Sequence, residues 1–175
     1  MITSVRVEEA RELLDHYKTR FGGFSDPGHE ERVLGYAKFI ADSEELRVDS
    51  RKLECAVLLH GIGIIWLVQL NKRESDIIIR SELGWIDDEV MGAIRQNSPG
   101  LQDGSFTLAK VLYDADVLDS LGDIGYLRWG FCPGVQDRHK VKTQVNERID
   151  NLNYATSRNL AIPKKTRLME RLADQ

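Results

Sequence analysis

The sequence predicts an all-α protein that folds as a single domain. Apolar residues recur at three- and four-residue spacings along most of the chain, which is typical of helices with one face in a core. No segment alternates apolar and polar residues as a half-buried strand does, and we find no internal repeat. The chain has 175 residues, a length at which one domain buries a sizeable core without disulfides or structural metals.

Helix-start and helix-stop residues divide the chain into eight predicted helices. Their approximate bounds are 5–21, 27–43, 50–60, 75–83, 87–96, 105–121 and 135–159, with a last short helix after Pro163. The N-terminal helix over 5–21 therefore precedes a central segment over 29–122, and the C-terminal helices lie within 135–173. A loop that contains Gly130 and Pro133-Gly134 is expected before the last two helices.

Local signals set three of these boundaries. Asp26 followed by Pro27 suits an N-cap with proline at the first helical position, so the second helix is expected to begin at Pro27. Asp49 or Ser50 can cap the third helix. The segment Gly61-Ile62-Gly63 should weaken or end that helix, because glycine costs roughly 1 kcal/mol against alanine in a helix interior.

Composition excludes several classes of protein. Apolar residues make up 42% of the chain, and no stretch approaches the roughly 18 to 20 consecutive apolar residues of a membrane span, so no membrane association is expected. The first residues turn charged too early for a secretory signal, so a cytoplasmic location is expected. The net charge of −4 disfavours nucleic-acid binding by general electrostatics but allows a small phosphorylated ligand. Two cysteines, Cys55 and Cys132, are too few for a disulfide framework or a cysteine zinc cluster.

Two histidines and one aspartate are the candidate metal ligands. His29, His60 and Asp116 come from three different predicted helices, and each lies on or beside the apolar stripe of its helix, so folding could bring them together. Imidazole and carboxylate are usual ligands of catalytic divalent ions, which lower the pKa of a bound water and polarise a phosphoryl oxygen. Taken singly, an inward histidine is more often a hydrogen-bonded core residue. The spacing alone leaves both interpretations open.

Three blocks of the sequence resemble those of the HD superfamily of metal-dependent phosphohydrolases, in its small stand-alone bacterial form. The blocks are HEERVLGYA at 29–37, LECAVLLHGIG at 53–63 and VLYDADVLDSLG at 111–122, in the order of the family. The segment TSRNLAIPKKTRLMERLA at 156–173 resembles the closing segment of such proteins. The resemblance implies a single HD-type helical bundle over residues 1–175.

The same resemblance implies which residues bind the metal. In the family, a histidine of the first block, a His-Asp pair of the second and an aspartate of the third ligate one or two divalent ions. By matching position, His29, His60 and Asp116 are the ligands, and His60 and Asp116 are also assigned to catalysis. Asp114 is the weaker candidate in the third block.

The chain departs from the family pattern in the second block. Gly61 stands where the family has the aspartate of the His-Asp pair, so one ligand position is lost. Ile64 stands where a lysine is frequent, and Asn97 stands where two-metal members supply a further histidine. A two-metal site is therefore not expected, and the remaining three ligands match the minimum of a catalytic zinc site, with reduced affinity. The expected cofactor is one divalent ion of Mn, Fe, Ni, Zn or Mg, or none if the site is inactive.

Two further residues are assigned supporting roles. Arg32 lies three residues after the first-block histidine and could contact a substrate phosphate; a salt bridge to a carboxylate such as Asp114 or Glu54 is an equally good interpretation. Asp119 could orient one of the two site histidines through its other ring nitrogen, or it could be a solvated or helix-pairing residue.

The sequence is compatible with two functions. The first is a one-metal phosphohydrolase, with impaired activity, that acts on a nucleotide or another small phosphate ester. The second is a catalytically inactive HD module that binds a nucleotide, a metabolite or a protein partner. Neither the substrate nor the oligomeric state follows from the sequence, because function resides in the site rather than in the fold.

Overall fold

The computed structural model describes residues 2–21, 26–67, 72–97, 106–131 and 137–173. Within these ranges the chain forms helices and no strand, which confirms the predicted all-α fold. The helices are α1 (Ser4–Phe21), α2 (His29–Ser43), α3 (Ser50–Leu67), α4 (Lys72–Glu82), α5 (Asp88–Arg95), α6 (Thr107–Asp119), α7 (Gly122–Phe131), α8 (Arg138–Asp150) and α9 (Ala155–Ala173).

The core is centred on α6, in which every residue except Thr107 and Lys110 is buried. This helix packs against α2, α5 and α9 and also contacts α3, while α1 covers the other side of α3. Residues 55–62 of α3 are buried as well, as its almost continuous apolar sequence predicts. Polar side chains on the inner faces of α2, α3 and α6 are therefore held in a closely packed interior.

The second helix begins two residues later than predicted. Its first residue is His29, preceded by Gly28 with a φ of 80°, a left-handed conformation that favours glycine. The carboxylate of Asp26 binds Arg32 instead of capping the helix, and its carbonyl accepts the His29 N–H at 3.1 Å. The predicted start at Pro27 is wrong because the charged guanidinium competes for the capping side chain.

The third helix continues through Gly61, contrary to the prediction. Of the two candidate caps, Asp49 accepts the backbone N–H groups of Arg51 and Lys52 at 2.9 and 3.1 Å. The helix extends to Leu67, and the turn around Gly61 is buried. Burial of apolar surface along this turn outweighs the cost of about 1 kcal/mol for one helical glycine.

The C-terminal part contains an additional helix and a different break. The helix α7 occupies 122–131, where only the approach to a loop was expected. The single helix predicted over 135–159 is replaced by α8 and α9, separated by a turn at 151–154. In that turn the carboxylate of Asp114 accepts the backbone N–H groups of Asn153 and Tyr154, at 2.9 and 3.0 Å. A buried acceptor from α6 therefore decides where the chain turns.

The last helix passes through Pro163 instead of starting after it. Proline lacks the N–H that would bond the carbonyl of Asn159, four residues earlier. Both residues are exposed, so water can satisfy that carbonyl, and the packing of α9 outweighs the cost of about 3 kcal/mol for an interior proline.

Other predictions concern single side chains and the membrane. None of the described helices is both long and apolar enough to cross a bilayer. Cys55 is a free thiol in the core, and burial raises its pKa to about 12, so it is unreactive. Cys132 lies outside the described residues, and His16 and His139 are exposed as expected.

Candidate metal centre

Two buried imidazoles face each other at the interface of α2 and α3. His29 is the first residue of α2, His60 lies in the middle of α3, and the two residues are 7% and 2% exposed. The two Nε2 atoms are 3.1 Å apart. Packing of α2 against α3 thus brings together two candidate ligand atoms from residues that are 31 positions apart in the sequence.

The other nitrogen of each ring is held as a hydrogen-bond donor. His60 Nδ1 donates to the backbone carbonyl of Val57, and His29 Nδ1 donates to Asp119 Oδ2 at 2.8 Å. A carbonyl and a carboxylate accept but do not donate, so in neutral rings both protons reside on Nδ1. Both Nε2 lone pairs then point at one another, which is unfavourable unless a cation or a proton lies between them.

A carboxylate from α6 completes the cluster. Asp116 Oδ1 lies 3.7 Å from Nε2 of His29 and 3.7 Å from Nε2 of His60. This oxygen is buried and has no hydrogen-bond partner among the described residues, whereas Oδ2 accepts from Asn97 Nδ2 at 3.3 Å. A buried acceptor without a donor lowers the stability of the fold by about 1 to 3 kcal/mol. Asp116 Oδ1 is therefore an oxygen that a bound cation would stabilise.

Electrostatics in the cluster favour the charged forms. Burial acts to raise the pKa of Asp116, but the imidazole of His60 outweighs it and holds that pKa well below its usual range. Burial likewise acts to lower the pKa of His60, and the Asp116 carboxylate reverses this and raises it. The cluster therefore keeps an ionised carboxylate that attracts a proton or a metal cation.

The side chains of His29, His60 and Asp116 are close enough to bind one divalent ion. Their ligand atoms all lie within 4.8 Å of one another. Bonds of about 2.1 Å to one ion place neighbouring ligands roughly 3.0 to 3.5 Å apart, so the observed 3.1 and 3.7 Å need shifts of only a few tenths of an ångström. Nitrogen and oxygen donors of this kind suit Zn, Fe, Mn or Ni. The predicted ligands His29, His60 and Asp116 are thus brought together in the described structure; that they bind metal stays a prediction.

Asp119 supports the cluster from behind His29. Its carboxylate is 1% exposed and accepts from Arg32 Nε at 2.6 Å, Arg32 Nη2 at 3.1 Å and Arg128 Nη1 at 3.1 Å, besides His29. Burial acts to raise the pKa of Asp119, but these donors lower it. The carboxylate therefore contacts Nδ1 of His29, as one of the two predicted roles requires; that it orients the ring for metal binding stays a prediction.

Arg32 uses most of its donors within the protein. Its guanidinium binds Asp119 bidentately, reaches the carboxylate of Asp26 through Nη2, and donates from Nη1 to the carbonyl of Pro27 at 3.0 Å. The predicted alternative of a salt bridge is realised, with Asp119 and Asp26 as partners rather than Asp114 or Glu54. A direct phosphate contact from Arg32 stays a prediction, with little donor capacity left for it.

Arg128 is the residue of this site that sequence reasoning missed. It lies on α7, its side chain is 25% exposed, and Nη1 donates to Asp119 Oδ2 and lies 3.1 Å from the protonated Nδ1 of His29. Within the described part of the chain, Nε and Nη2 have no partner. Nε and Nη2 remain available for an anion. No spacing signal pointed to it, because α7 itself was not predicted.

Asp114 lies apart from the cluster, as the helical spacing requires. It is completely buried and accepts from Asn153 Nδ2 at 2.9 Å in addition to the two backbone N–H groups of the 151–154 turn. Burial raises its pKa although these donors oppose the rise. Its role is to join α6 to the turn that leads into α9.

Solved structures share this arrangement of helices along nearly the full chain. A protein of Lactobacillus plantarum is 17% identical with a TM-score of 0.76, covering 99% of this chain and 96% of that chain. YpgQ of Bacillus subtilis is 21% identical with a TM-score of 0.68, covering 97% and 93%. A predicted HD superfamily hydrolase from an uncultured Thermotogales bacterium is 22% identical with a TM-score of 0.60, covering 94% and 89%.

The chain has the HD fold. No protein-family model and no curated protein matches the sequence, so the likeness lies in the fold. Within this HD fold, His29, His60 and Asp116 form a buried cluster that could hold a metal ion, and Gly61 follows His60 on α3 without a side chain.

Proposed function

We propose that the chain is a one-metal phosphohydrolase that acts on a nucleotide or another small phosphate ester. The observation that carries this proposal is the convergence of the two Nε2 atoms, 3.1 Å apart, and the unpartnered Asp116 Oδ1 in a buried cluster. A structural core would satisfy a buried carboxylate oxygen such as Asp116 Oδ1 by a hydrogen bond within the protein, whereas a metal centre leaves a ligand atom without one.

Each residue of the site has a role in the proposed reaction that follows from its position. A divalent ion held by His29, His60 and Asp116 would supply Lewis acidity and an activated water. Asp119 keeps His29 Nδ1 protonated, so that Nε2 stays available as a ligand atom. Arg128, anchored by one nitrogen to Asp119, presents its remaining donors to a phosphate oxygen.

A phosphorylated substrate is supported by two observations. The guanidinium of Arg128 suits recognition of phosphate, since its donors form a planar fork. One solved structure with the same fold is Bacillus subtilis YpgQ in complex with ADP, at 22% identity and a TM-score of 0.64. A nucleotide is therefore the first substrate class to test.

The test is phosphate release by the metal-loaded protein. The chain is purified without chelator, loaded separately with Mn, Fe, Ni, Zn or Mg, and incubated with nucleoside mono-, di- and triphosphates and with simple phosphate esters. We expect turnover with at least one metal and substrate class, and its loss in Asp116→Ala. Failure across all combinations, with metal shown to be bound, overturns the hydrolase proposal.

The second candidate is a non-catalytic binding module. The observation that favours it is Gly61, which offers no carboxylate beside the histidine pair. Binding of ADP by the metal-loaded protein without any phosphate release would support this candidate.

A further inference from the structure

Gly61 faces a carboxylate of the neighbouring helix. Glu30 follows His29 on α2, and Gly61 follows His60 on α3, so the two consecutive pairs meet across the same interface. A Cβ added at Gly61 would lie 3.2 Å from Glu30 Oε1 and 3.6 Å from Leu14 Cδ1. The first distance is tighter than ordinary Cβ contacts, so the Glu30 carboxylate would have to shift by a few tenths of an ångström to admit a side chain at position 61.

Glu30 is a buried anion held in place. It is 8% exposed, and its Oε2 accepts from Lys18 Nζ at 2.8 Å. Burial acts to raise its pKa, but Lys18 and the helix backbone outweigh burial and lower it. Lys18 compensates this buried charge through Oε2, while Oε1 lies against Gly61.

We propose that Glu30 replaces, from α2, the carboxylate that the chain lacks at position 61, so that a carboxylate at one of these positions excludes a carboxylate at the other. This inference rests on the proposed metal centre. Glu30 acts as a positioning residue, because its charge stabilises the cation while His29, His60 and Asp116 supply the ligand atoms. The negative charge lost at Gly61 is thereby restored by a neighbour whose carboxylate lies against the position of the missing side chain.

Charge repulsion is the reason that carboxylates at positions 30 and 61 should exclude each other. An aspartate at position 61 would place two carboxylates in contact inside the protein, where like charges at short range repel strongly. Introducing aspartate at position 61 alone should therefore destabilise the protein rather than improve the site. Neutralising Glu30 first should make room electrostatically for the new carboxylate.

The experiment is a double-mutant cycle over Glu30→Gln, Gly61→Asp and the double variant. Glutamine keeps the shape of Glu30 and an oxygen that can accept from Lys18, and it removes only the charge. Metal affinity is measured by titration calorimetry with Mn, and the free energy of unfolding of the metal-free protein by urea. Glu31→Gln and Gly35→Asp are matched controls, because both residues are exposed on α2 and a Cβ at Gly35 meets nothing within 4 Å.

We expect Glu30→Gln to weaken metal binding by about 10- to 100-fold, as loss of a supporting carboxylate does elsewhere. Gly61→Asp alone should lower stability without tightening metal binding. The double variant should bind metal more tightly than Glu30→Gln and be more stable than Gly61→Asp. The two controls should leave metal affinity unchanged.

Two results overturn the inference. One is unchanged metal affinity in Glu30→Gln, which would leave Glu30 as the ion-pair partner of Lys18 alone. The other is tighter binding in Gly61→Asp without loss of stability, which would show that the two carboxylates coexist. A wild-type chain that takes up no metal overturns this inference together with the metal centre. A wild type that binds metal but hydrolyses nothing overturns only the hydrolase proposal, since the affinities of the cycle still decide the role of Glu30.

Discussion

The Nε2 atoms of His29 and His60 face each other at 3.1 Å while Nδ1 of each ring donates to an oxygen of the protein. Two neutral rings in this arrangement direct two lone pairs at one point. A cation at that point converts the repulsion into two coordinate bonds. A proton shared by the two rings would also remove the repulsion, so metal binding itself decides between a metal site and a pair of core histidines.

Replacement of His60 should abolish metal binding. We expect wild-type protein purified without chelator to carry about one transition metal per chain, and His60→Ala to carry almost none, because His29 and Asp116 alone give two ligands. Elemental analysis of the purified proteins measures this. His16→Ala is the control, since His16 is exposed and lies outside the cluster. Equal metal content in both variants would contradict the prediction.

Asp119 should matter for both metal and stability. Asp119→Asn removes the charge that orients His29 and pairs with Arg32 and Arg128. Metal affinity should fall by about 10- to 100-fold. The free energy of unfolding should fall by roughly 3 to 5 kcal/mol, because two guanidinium groups lose their shared buried partner.

Calorimetry and urea unfolding of Asp119→Asn measure the two effects. Asp123→Asn is the matched control, since its carboxylate also pairs with arginines but its side chain is 53% exposed. If both variants behaved alike, the buried position of Asp119 would have no special role.

Replacement of Asp114 and replacement of Asp116 should have different effects on stability and on metal content. Asp114→Ala leaves the backbone N–H groups of Asn153 and Tyr154 without their acceptor, at about 1 to 3 kcal/mol each, and should keep the metal. Asp116→Ala should lose the metal with a smaller change in stability. Urea unfolding and metal analysis of both variants make the comparison. The reverse pattern would mean that Asp114 is the ligand.

Arg128 should act on substrate and not on metal. Arg128→Ala should raise the KM for the best phosphate substrate by roughly 10- to 100-fold, which corresponds to one charged hydrogen bond of about 1.5 to 3 kcal/mol. Metal content should be unchanged. Steady-state kinetics with the exposed Arg138→Ala as control measures the effect. An unaltered KM would remove Arg128 from the substrate site.

The N-cap of α5 should give a pH-dependent contribution to stability. Asp87 accepts the Val90 N–H at 3.0 Å and pairs with Lys52 at 2.8 Å. Burial acts to raise the pKa of Asp87, but these partners lower it. A carboxylate whose pKa is lower in the folded state stabilises the fold above its unfolded pKa of about 3.9, and this contribution is lost as the pH falls through the folded pKa.

Asp87→Asn should therefore be less stable than wild type at neutral pH, by up to about 1 kcal/mol, since asparagine keeps the cap but not the ion pair. The difference should shrink as the pH falls below about 4, near the unfolded pKa of the carboxylate. Urea unfolding across this range measures it. Asp88→Asn is the control, because its side chain is 91% exposed and loses only a surface pair with Arg80, and it should be destabilised less than Asp87→Asn at neutral pH. A constant difference at all pH values would argue against the ion pair.

Several elements were predictable because their signals are local. The apolar periodicity of α6 and the start of α5 after Asp87 match the structure to within two residues. The continuation of α3 through Gly61 was not predictable, because it depends on burial against other helices. The break at 151–154 was not predictable either, since its acceptor is Asp114, about 40 residues earlier in the chain.

The sequence alone predicts a helical chain and names His29, His60 and Asp116 as candidate metal ligands. It also shows that position 61 lacks a carboxylate. These are properties of residue order and spacing. Only the tertiary structure decided that Asp119 orients His29 across 90 residues of sequence, that α7 brings Arg128 to the same carboxylate, and that Glu30 fills the space beside Gly61. The physical reason is that hydrogen bonds and excluded volume act over a few ångströms, and only helix packing brings residues so far apart in sequence within that range.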